Sequence, residues 1–176
     1  FLRVDIAGNI SKACGSCGIK LVHISTDHLF DGQESFVSEL TPYSPLNNYG
    51  ISKSKGEQEV LKNNSDAIII RTNFFGSGPS YKASFSDKIL KSLESNKKIK
   101  LFNDVYYTPI SIETLKKNIY LLLGKQAKGV FNICSSQRIS KYQFGLMLAK
   151  VFGFSSQLIS PISIDEVSNL TLRPKD

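Results

Sequence analysis

The chain has 176 residues, 41% hydrophobic and 21% charged, an ordinary balance for a globular protein and enough for one domain with room for a second small one. No run approaches the roughly 18 consecutive apolar residues of a transmembrane helix, so no membrane partner is expected. The net charge of +7 is concentrated between Lys88 and Lys128 as a solvated lysine face that suits an anionic ligand, while the few arginines (Arg3, Arg71, Arg138, Arg173) and the lack of a basic block interleaved with aromatics exclude nucleic acid as an expected partner.

Ile6 to Gly18 reads as the end of a helix running into Gly18. Cys14 and Cys17 form a C-x-x-C there, a spacing compatible with a redox pair or half a zinc site, but no second pair follows and Cys134 is remote. No metal site and no disulfide framework are therefore assigned. This cysteine usage fits a reducing compartment, and a cytoplasmic location is expected. No signal peptide is visible, although the sequence starts at Phe1, so targeting is not judged from it. The N-x-S/T triplets at Asn9, Asn63 and Asn169 carry little meaning without secretion.

Lys20 to Ser25 is a short apolar run after a glycine and predicts a buried strand. Residues 27–48 are rich in Asp, Ser, Pro, Asn and Gly and predict a long loop, the kind of segment that often carries function. Asn48 to Lys62 is helix-compatible, and Ala67 to Ile70 predicts a second buried strand ending at Arg71. Gly76-Ser77-Gly78-Pro79-Ser80 then breaks the pattern. Phe85, Ile89, Leu90 and Leu93 have helical spacing, and Lys98 to Phe102 alternates as a strand does. Ser111 can cap a helix with Ile112, Leu115, Ile119 and Leu122 on its apolar face. Gly129 to Ile133 predicts a third strand, and Ser140-Lys141-Tyr142-Gln143 is a capping box opening a helix that ends near Gly153. Strand–helix alternation of this kind predicts an α/β protein with a mainly parallel sheet.

The residues that suggest chemistry are Thr26, Tyr49 and Lys53. Tyr49 and Lys53 are four apart, one turn of one helix face. A free phenol has a pKa of about 10, and a nearby ammonium favours the phenolate, which tunes the tyrosine as a general acid or base. Thr26 lies at the carboxyl end of the first strand, where ligands bind in open α/β sheets. Together the three could orient a ketone, polarise it and protonate the alkoxide left by hydride transfer. A hydride has to come from a cofactor, because no side chain supplies one. Tyr-x-x-x-Lys alone is a weak signal. It gains weight from its setting after a buried strand, a Ser-Thr-Asp and a long Gly/Pro loop, and before a second buried strand.

Leu21-Val-His-Ile-Ser-Thr-Asp-His-Leu-Phe-Asp-Gly32 resembles the signature of the dTDP-4-dehydrorhamnose reductase family, a branch of the extended short-chain dehydrogenase/reductases. The likeness continues through Glu39-Leu40-Thr41-Pro42, Pro45 to Lys53, Gly56-Glu57 and Ile70 to Gly76, with weaker echoes at Thr108-Pro109-Ile110, Gly129 to Ile133 and Arg173-Pro174. The resemblance implies the C-terminal part of a Rossmann-like doubly wound parallel sheet (residues 1–76) plus a small α/β substrate-binding lobe with late Rossmann elements (residues 77–176). It implies NADPH- or NADH-dependent reduction of the 4-keto group of a nucleotide-activated deoxysugar, in making sugars for surface polysaccharides. A nucleotide sugar is the expected substrate, and a homodimer is left open.

By the same resemblance Thr26 would bind the keto oxygen, Tyr49 would donate the proton, and Lys53 would tune Tyr49 and hold the nicotinamide ribose. Asp27 would help position the site, and Ser25, Thr72 and Asn73 would line the pocket of nicotinamide and sugar. Plainer roles stand beside these: Ser25 and Thr72 satisfying strand ends, Asn73 capping a turn, Asp27 holding the loop. Arg71 reads as a structural ion-pair partner and His23 as a packed core residue. His28 stands where the family has an aromatic tyrosine; it reads as a loop histidine, still able to stack. The likeness begins midway through the Rossmann domain: the G-x-x-G-x-x-G turn that cradles a pyrophosphate is absent, and Gly76-Ser77-Gly78 has the wrong spacing to replace it. The chain is thus expected to be the C-terminal portion of such a protein, inactive by itself. Two further readings remain: a sugar-nucleotide epimerase or dehydratase of the same superfamily, and a non-catalytic regulatory subunit like that of methionine adenosyltransferase.

Overall fold

The structure is a computed structural model that describes residues 2–168 and 174–176. Arg173 and Asn169, singled out in the sequence, lie outside the described residues. The chain runs α1 (Leu2–Ser16), β1 (Val22–Ile24), α2 (Asn48–Asn63), β2 (Ile68–Arg71), β3 (Phe74–Phe75), α3 (Phe85–Glu94), β4 (Ile99–Phe102) and β5 (Tyr106–Tyr107). It continues through β6 (Ile110–Ser111), α4 (Ile112–Gly124), β7 (Gly129–Asn132), β8 (Ile139–Ser140), α5 (Lys141–Phe152) and β9 (Ile159–Ile162).

The sheet that positions the site has the order β1-β2-β7, all parallel, with Ile24 opposite Ile70 and Arg71 opposite Asn132. The run Ala67 to Ile70 is fully buried because β2 is central and both its faces are covered. Strand alternation divides its side chains between two cores. Ile68 and Ile70 meet Leu115, Ile119 and Leu122 of α4 on one face; Ala67 and Ile69 meet Val60, Leu61 and Ala7 of α2 and α1 on the other. Helices on both sides of a parallel sheet make this a Rossmann-like doubly wound arrangement, as anticipated. On the outer layer, Ser11 Oγ donates to the Val60 carbonyl at 2.7 Å, so the polar atom that α1 buries against α2 is satisfied.

The lobe has its own core. β4 pairs in parallel with β9, and Ile89, Leu93, Tyr107, Phe144, Leu148 and Ile159 pack together. α5 opens on the expected capping box: the Gln143 amide donates to Ser140 Oγ at 3.1 Å, and the Ser140 amide donates to Gln143 Oε1 at 2.8 Å. It closes at Gly153, whose φ of 72° is in the left-handed region that glycine tolerates. The parallel pair β3–β6 links the two cores.

Two expectations need correction. Lys20 to Ser25, expected as a buried strand, yields β1 over Val22–Ile24 only, and it is half-buried to exposed because, among the described residues, β1 lies at the edge of the sheet with β2 on one side alone. Ile112, placed on the apolar face of α4, is 43% exposed: it is the first helical residue and lies over Gly76 rather than in the core. Among the described residues no helix is long and apolar enough to cross a membrane, and no group of three or more His, Cys, Asp and Glu is placed to hold a metal ion.

Candidate functional site

The site forms where β1 leaves the sheet. The Ser25 amide still donates to the Ile70 carbonyl, at 2.7 Å, and the next residue turns out of the ladder. Thr26 is buried in that turn. Its hydroxyl donates to Asp27 Oδ1 at 3.1 Å and accepts the His28 amide at 3.3 Å. The other Asp27 oxygen accepts Asn73 Nδ2 at 2.5 Å, so one carboxylate ties the end of β1 to the end of β2. The turn-capping alternative for Asn73 gives way to this bond.

Tyr49 and Lys53 reach the same place from α2. Asn47 is the N-cap, its Oδ1 accepting the Gly50 amide at 2.9 Å, which fixes where the helix starts. Tyr49 therefore sits in the first turn, 44% exposed, with its ring edge-on to that of His28 at 5.7 Å between centroids. Gly50 allows this approach. A Cβ there would overlap the His28 carbonyl oxygen and lie 2.8 Å from Pro45. One turn on, Lys53 Nζ donates to the Ile24 carbonyl at 2.6 Å, an orphan acceptor at the end of β1. Thus Thr26, Asp27 and Asn73 are directly bonded, Tyr49 joins them through His28, and Lys53 through Ile24.

Ser25 and Thr72 are buried at the ends of β1 and β2, and the hydroxyl oxygen of each has no hydrogen-bond partner among the described residues. The strand-end satisfaction expected of them is not what their side chains do. Buried hydroxyls without partners are uncommon and suit a ligand that would complete them.

Sequence reasoning missed the support behind this site. Arg71 is a structural ion-pair partner, as expected, but its partner Glu57 and the companion Tyr43 went unread. Arg71 Nη2 donates to Glu57 Oε2 at 2.8 Å, Nε to both carboxylate oxygens at 3.2 and 3.1 Å, and Nη1 to the Glu39 carbonyl at 3.2 Å. Tyr43 donates to the same Glu57 oxygen at 2.9 Å. Burial pulls the Arg71 guanidinium down, but the hydrogen bonds and charge of Glu57 outweigh it and leave the group above its ordinary range. Burial and the Glu57 charge push the Tyr43 phenol up, so it stays a donor. The Asn132 amide donates to Glu39 Oε1 at 2.9 Å and Asn132 Nδ2 to the Val37 carbonyl at 2.9 Å. These bonds pin the long loop 25–47 across β2 and β7. The Gly56-Glu57 pair, already part of the family likeness, was the available signal. His23 is half-buried rather than fully packed. Burial first, and the Lys53 charge second, hold its imidazole below the ordinary value, against the pull of Glu57.

A cavity of about 650 Å³ opens beside Asp27, His28 and Asn73 and continues into the lobe past Gly76, Lys82, Lys100 and Lys141. Lys141 Nζ lies 3.1 Å from the centroid of the Tyr107 ring and 5.3 Å from that of Phe85, a cation held on aromatic faces. A smaller cavity of about 230 Å³ shares Asp27, Asn73 and Tyr107 with the first and runs under the 25–47 loop.

The family described as RmlD substrate binding domain matches residues 2–176. Among curated relatives, the dTDP-4-keto-6-deoxy-D-glucose reductase of Streptomyces niveus is 28% identical over 171 residues, covering 96% of this chain and 59% of its own. Methionine adenosyltransferase 2 subunit beta of Rattus norvegicus is also 28% identical, over 182 residues, covering 99% of this chain and 54% of its own. Among solved structures, the dTDP-4-dehydrorhamnose reductase of Bacillus anthracis in complex with NADP superposes with a TM-score of 0.89 at 26% identity, covering 96% of this chain and 59% of that one. The chain thus spans somewhat more than half the length of these relatives.

Proposed function

The chain belongs to the RmlD substrate binding domain family, and on that membership and the geometry at the end of β1 we propose that it is part of an NADPH-dependent reductase of a nucleotide-activated 4-keto deoxysugar, serving surface polysaccharide synthesis. The observation that carries the reading is the convergence of Thr26, Asp27, Tyr49 and Lys53 on one strand end, where Asp27 and His28 line a cavity of about 650 Å³. The NADP held by the Bacillus anthracis reductase supports NADPH as the cofactor.

In this reading the keto oxygen lies within reach of Thr26 and Tyr49. Thr26 exchanges its hydrogen bond to Asp27 for one to that oxygen, and the His28 amide keeps the hydroxyl in place. The nicotinamide, when bound, supplies the hydride that reduces the carbonyl carbon. Tyr49 passes its phenolic proton to the oxygen, which completes the alcohol, and Lys53, one turn on, would hold the nicotinamide ribose. Ser25, Thr72 and Asn73 would hold the nicotinamide end, with the orphaned hydroxyls of the first two finding partners there. The 176 residues contain no G-x-x-G-x-x-G turn for the pyrophosphate, so tight dinucleotide binding and turnover are assigned to the protein of the complete reading frame, not to these residues alone.

The test is the stoichiometry of NADPH oxidation with a dTDP-4-keto-6-deoxy sugar. One NADPH consumed per alcohol supports the reductase; conversion with no net consumption supports an epimerase. The identity shared with methionine adenosyltransferase 2 subunit beta favours a second reading, that of a regulatory subunit. That reading gains if the folded, NADPH-binding protein turns over no keto sugar.

A further inference from the structure

Three residues cross the junction of the two cavities as a strap. Pro174 and Asp176 line the larger cavity, and Asp176 also lines the smaller. The Asp176 carboxylate is gripped from two sides. From the lobe, Arg138 Nε donates to both its oxygens, at 2.7 and 2.8 Å, while the Arg138 guanidinium lies 3.8 Å from the centroid of the Tyr106 ring. The Tyr106 amide also donates to the Lys175 carbonyl at 2.7 Å. From the 25–47 loop, Ser35 Oγ donates to Asp176 Oδ2. Gly32 lies against the strap backbone: a Cβ there would sit 2.8 Å from backbone atoms of Lys175 and Asp176, and its φ of +74° is a conformation other side chains resist. The loop held this way is the one that begins at Thr26 and Asp27.

We infer that Asp176 is a positioning residue that clamps the loop carrying Thr26 and Asp27 onto the lobe that walls the cavity. Its side chain is only 12% exposed, so the ion pair with Arg138 is shielded and charge-assisted rather than a loose surface pair. A substrate bound mainly by the lobe meets its proton donors across this joint. A shift of about 1 Å between bound substrate and catalytic group can lower a rate on the order of 100-fold. The kinetic consequence rests on the reductase reading; the clamp itself does not.

The experiment compares wild type with Asp176→Asn, Asp176→Glu and Arg138→Gln by amide hydrogen exchange and by steady-state kinetics, in protein from the complete reading frame. Expected for Asp176→Asn and for Arg138→Gln is faster exchange across residues 32–38, about tenfold, with the exchange of β2 unchanged. Also expected is a fall of about tenfold or more in kcat, with the KM for NADPH unchanged and partial recovery in Asp176→Glu. Unchanged exchange at 32–38 in both charge-removing variants would overturn the clamp. Faster exchange with undiminished kcat would overturn the positioning role. A wild type that reduces no keto sugar defeats the reductase reading instead, and the exchange comparison then decides the clamp alone.

Discussion

Glu57 and Arg71 hold the loop that carries Thr26 and Asp27 from behind, as a buried ion pair. Both are buried, and their charges are compensated by each other, by Tyr43 and by the Glu39 carbonyl. Removing one partner leaves the other as an uncompensated buried charge. Arg71→Met is expected to cost about 3–5 kcal/mol in urea unfolding, and the double change Arg71→Met with Glu57→Leu to recover most of it. His23 gives a pH signature. Its folded pKa is depressed below the unfolded value of 6.5. The neutral ring's contribution is therefore complete above 6.5 and is lost as pH falls through the folded value. The urea midpoint should decline on acidification below 6.5, and His23→Gln should flatten that decline. At this scale the placement of Thr26 at a strand end and of Tyr49 and Lys53 one turn apart on α2 was legible, because short spacings carry it. Glu57 as the partner of Arg71, and Asp176 as the partner of Ser35 and Arg138, were not. Ser35 and Asp176 are 141 residues apart, and no local period encodes such a pairing.

The long elements were legible for the opposite reason: caps and periodicity are local. Ser111 and Ser140 do cap helices, and Gly153 does end one; the Asn47 cap of α2 went unread. β3, β5, β6 and β8 have two residues each, too short to show alternation, and β9 carries Pro161, which sequence patterns read against a strand. Pro161 is tolerated because β9 pairs with β4 alone, at the edge of a two-stranded sheet. In the proposed reductase the element that matters most is the first turn of α2. There Gly50 lets the helix press against the His28 carbonyl and so sets where Tyr49 stands. Gly50→Ala forces the helix start or the loop to move. Its stability loss should be about 1–3 kcal/mol, with a fall in kcat larger than that of a Gly56→Ala control, whose nearest neighbour is 3.9 Å away. Equal kcat in the two variants would mean that this close approach does not set the site.

At the scale of the molecule, the sheet β1-β2-β7 and the lobe built on β4, β9, α3 and α5 have separate cores, and the cavity runs from the ends of the first into the second. Doubly wound order puts Thr26 and the ends of β1 and β2 where such sheets bind ligands. The lobe adds lysines and aromatic faces around the rest of the cavity. The labour is divided accordingly. In the proposed reductase the strand ends and α2 would supply the proton chemistry, and the lobe would supply the grip on an anionic sugar nucleotide. Whether Tyr49 delivers the proton is decided by NADPH-dependent reduction of a dTDP-4-keto-6-deoxy sugar by wild type and Tyr49→Phe, with NADPH binding measured on both. Wild type should turn the sugar over, and Tyr49→Phe should lose roughly 100- to 10,000-fold in kcat at unchanged NADPH affinity. A Tyr49→Phe protein that reduces the sugar at the wild-type rate would contradict that role.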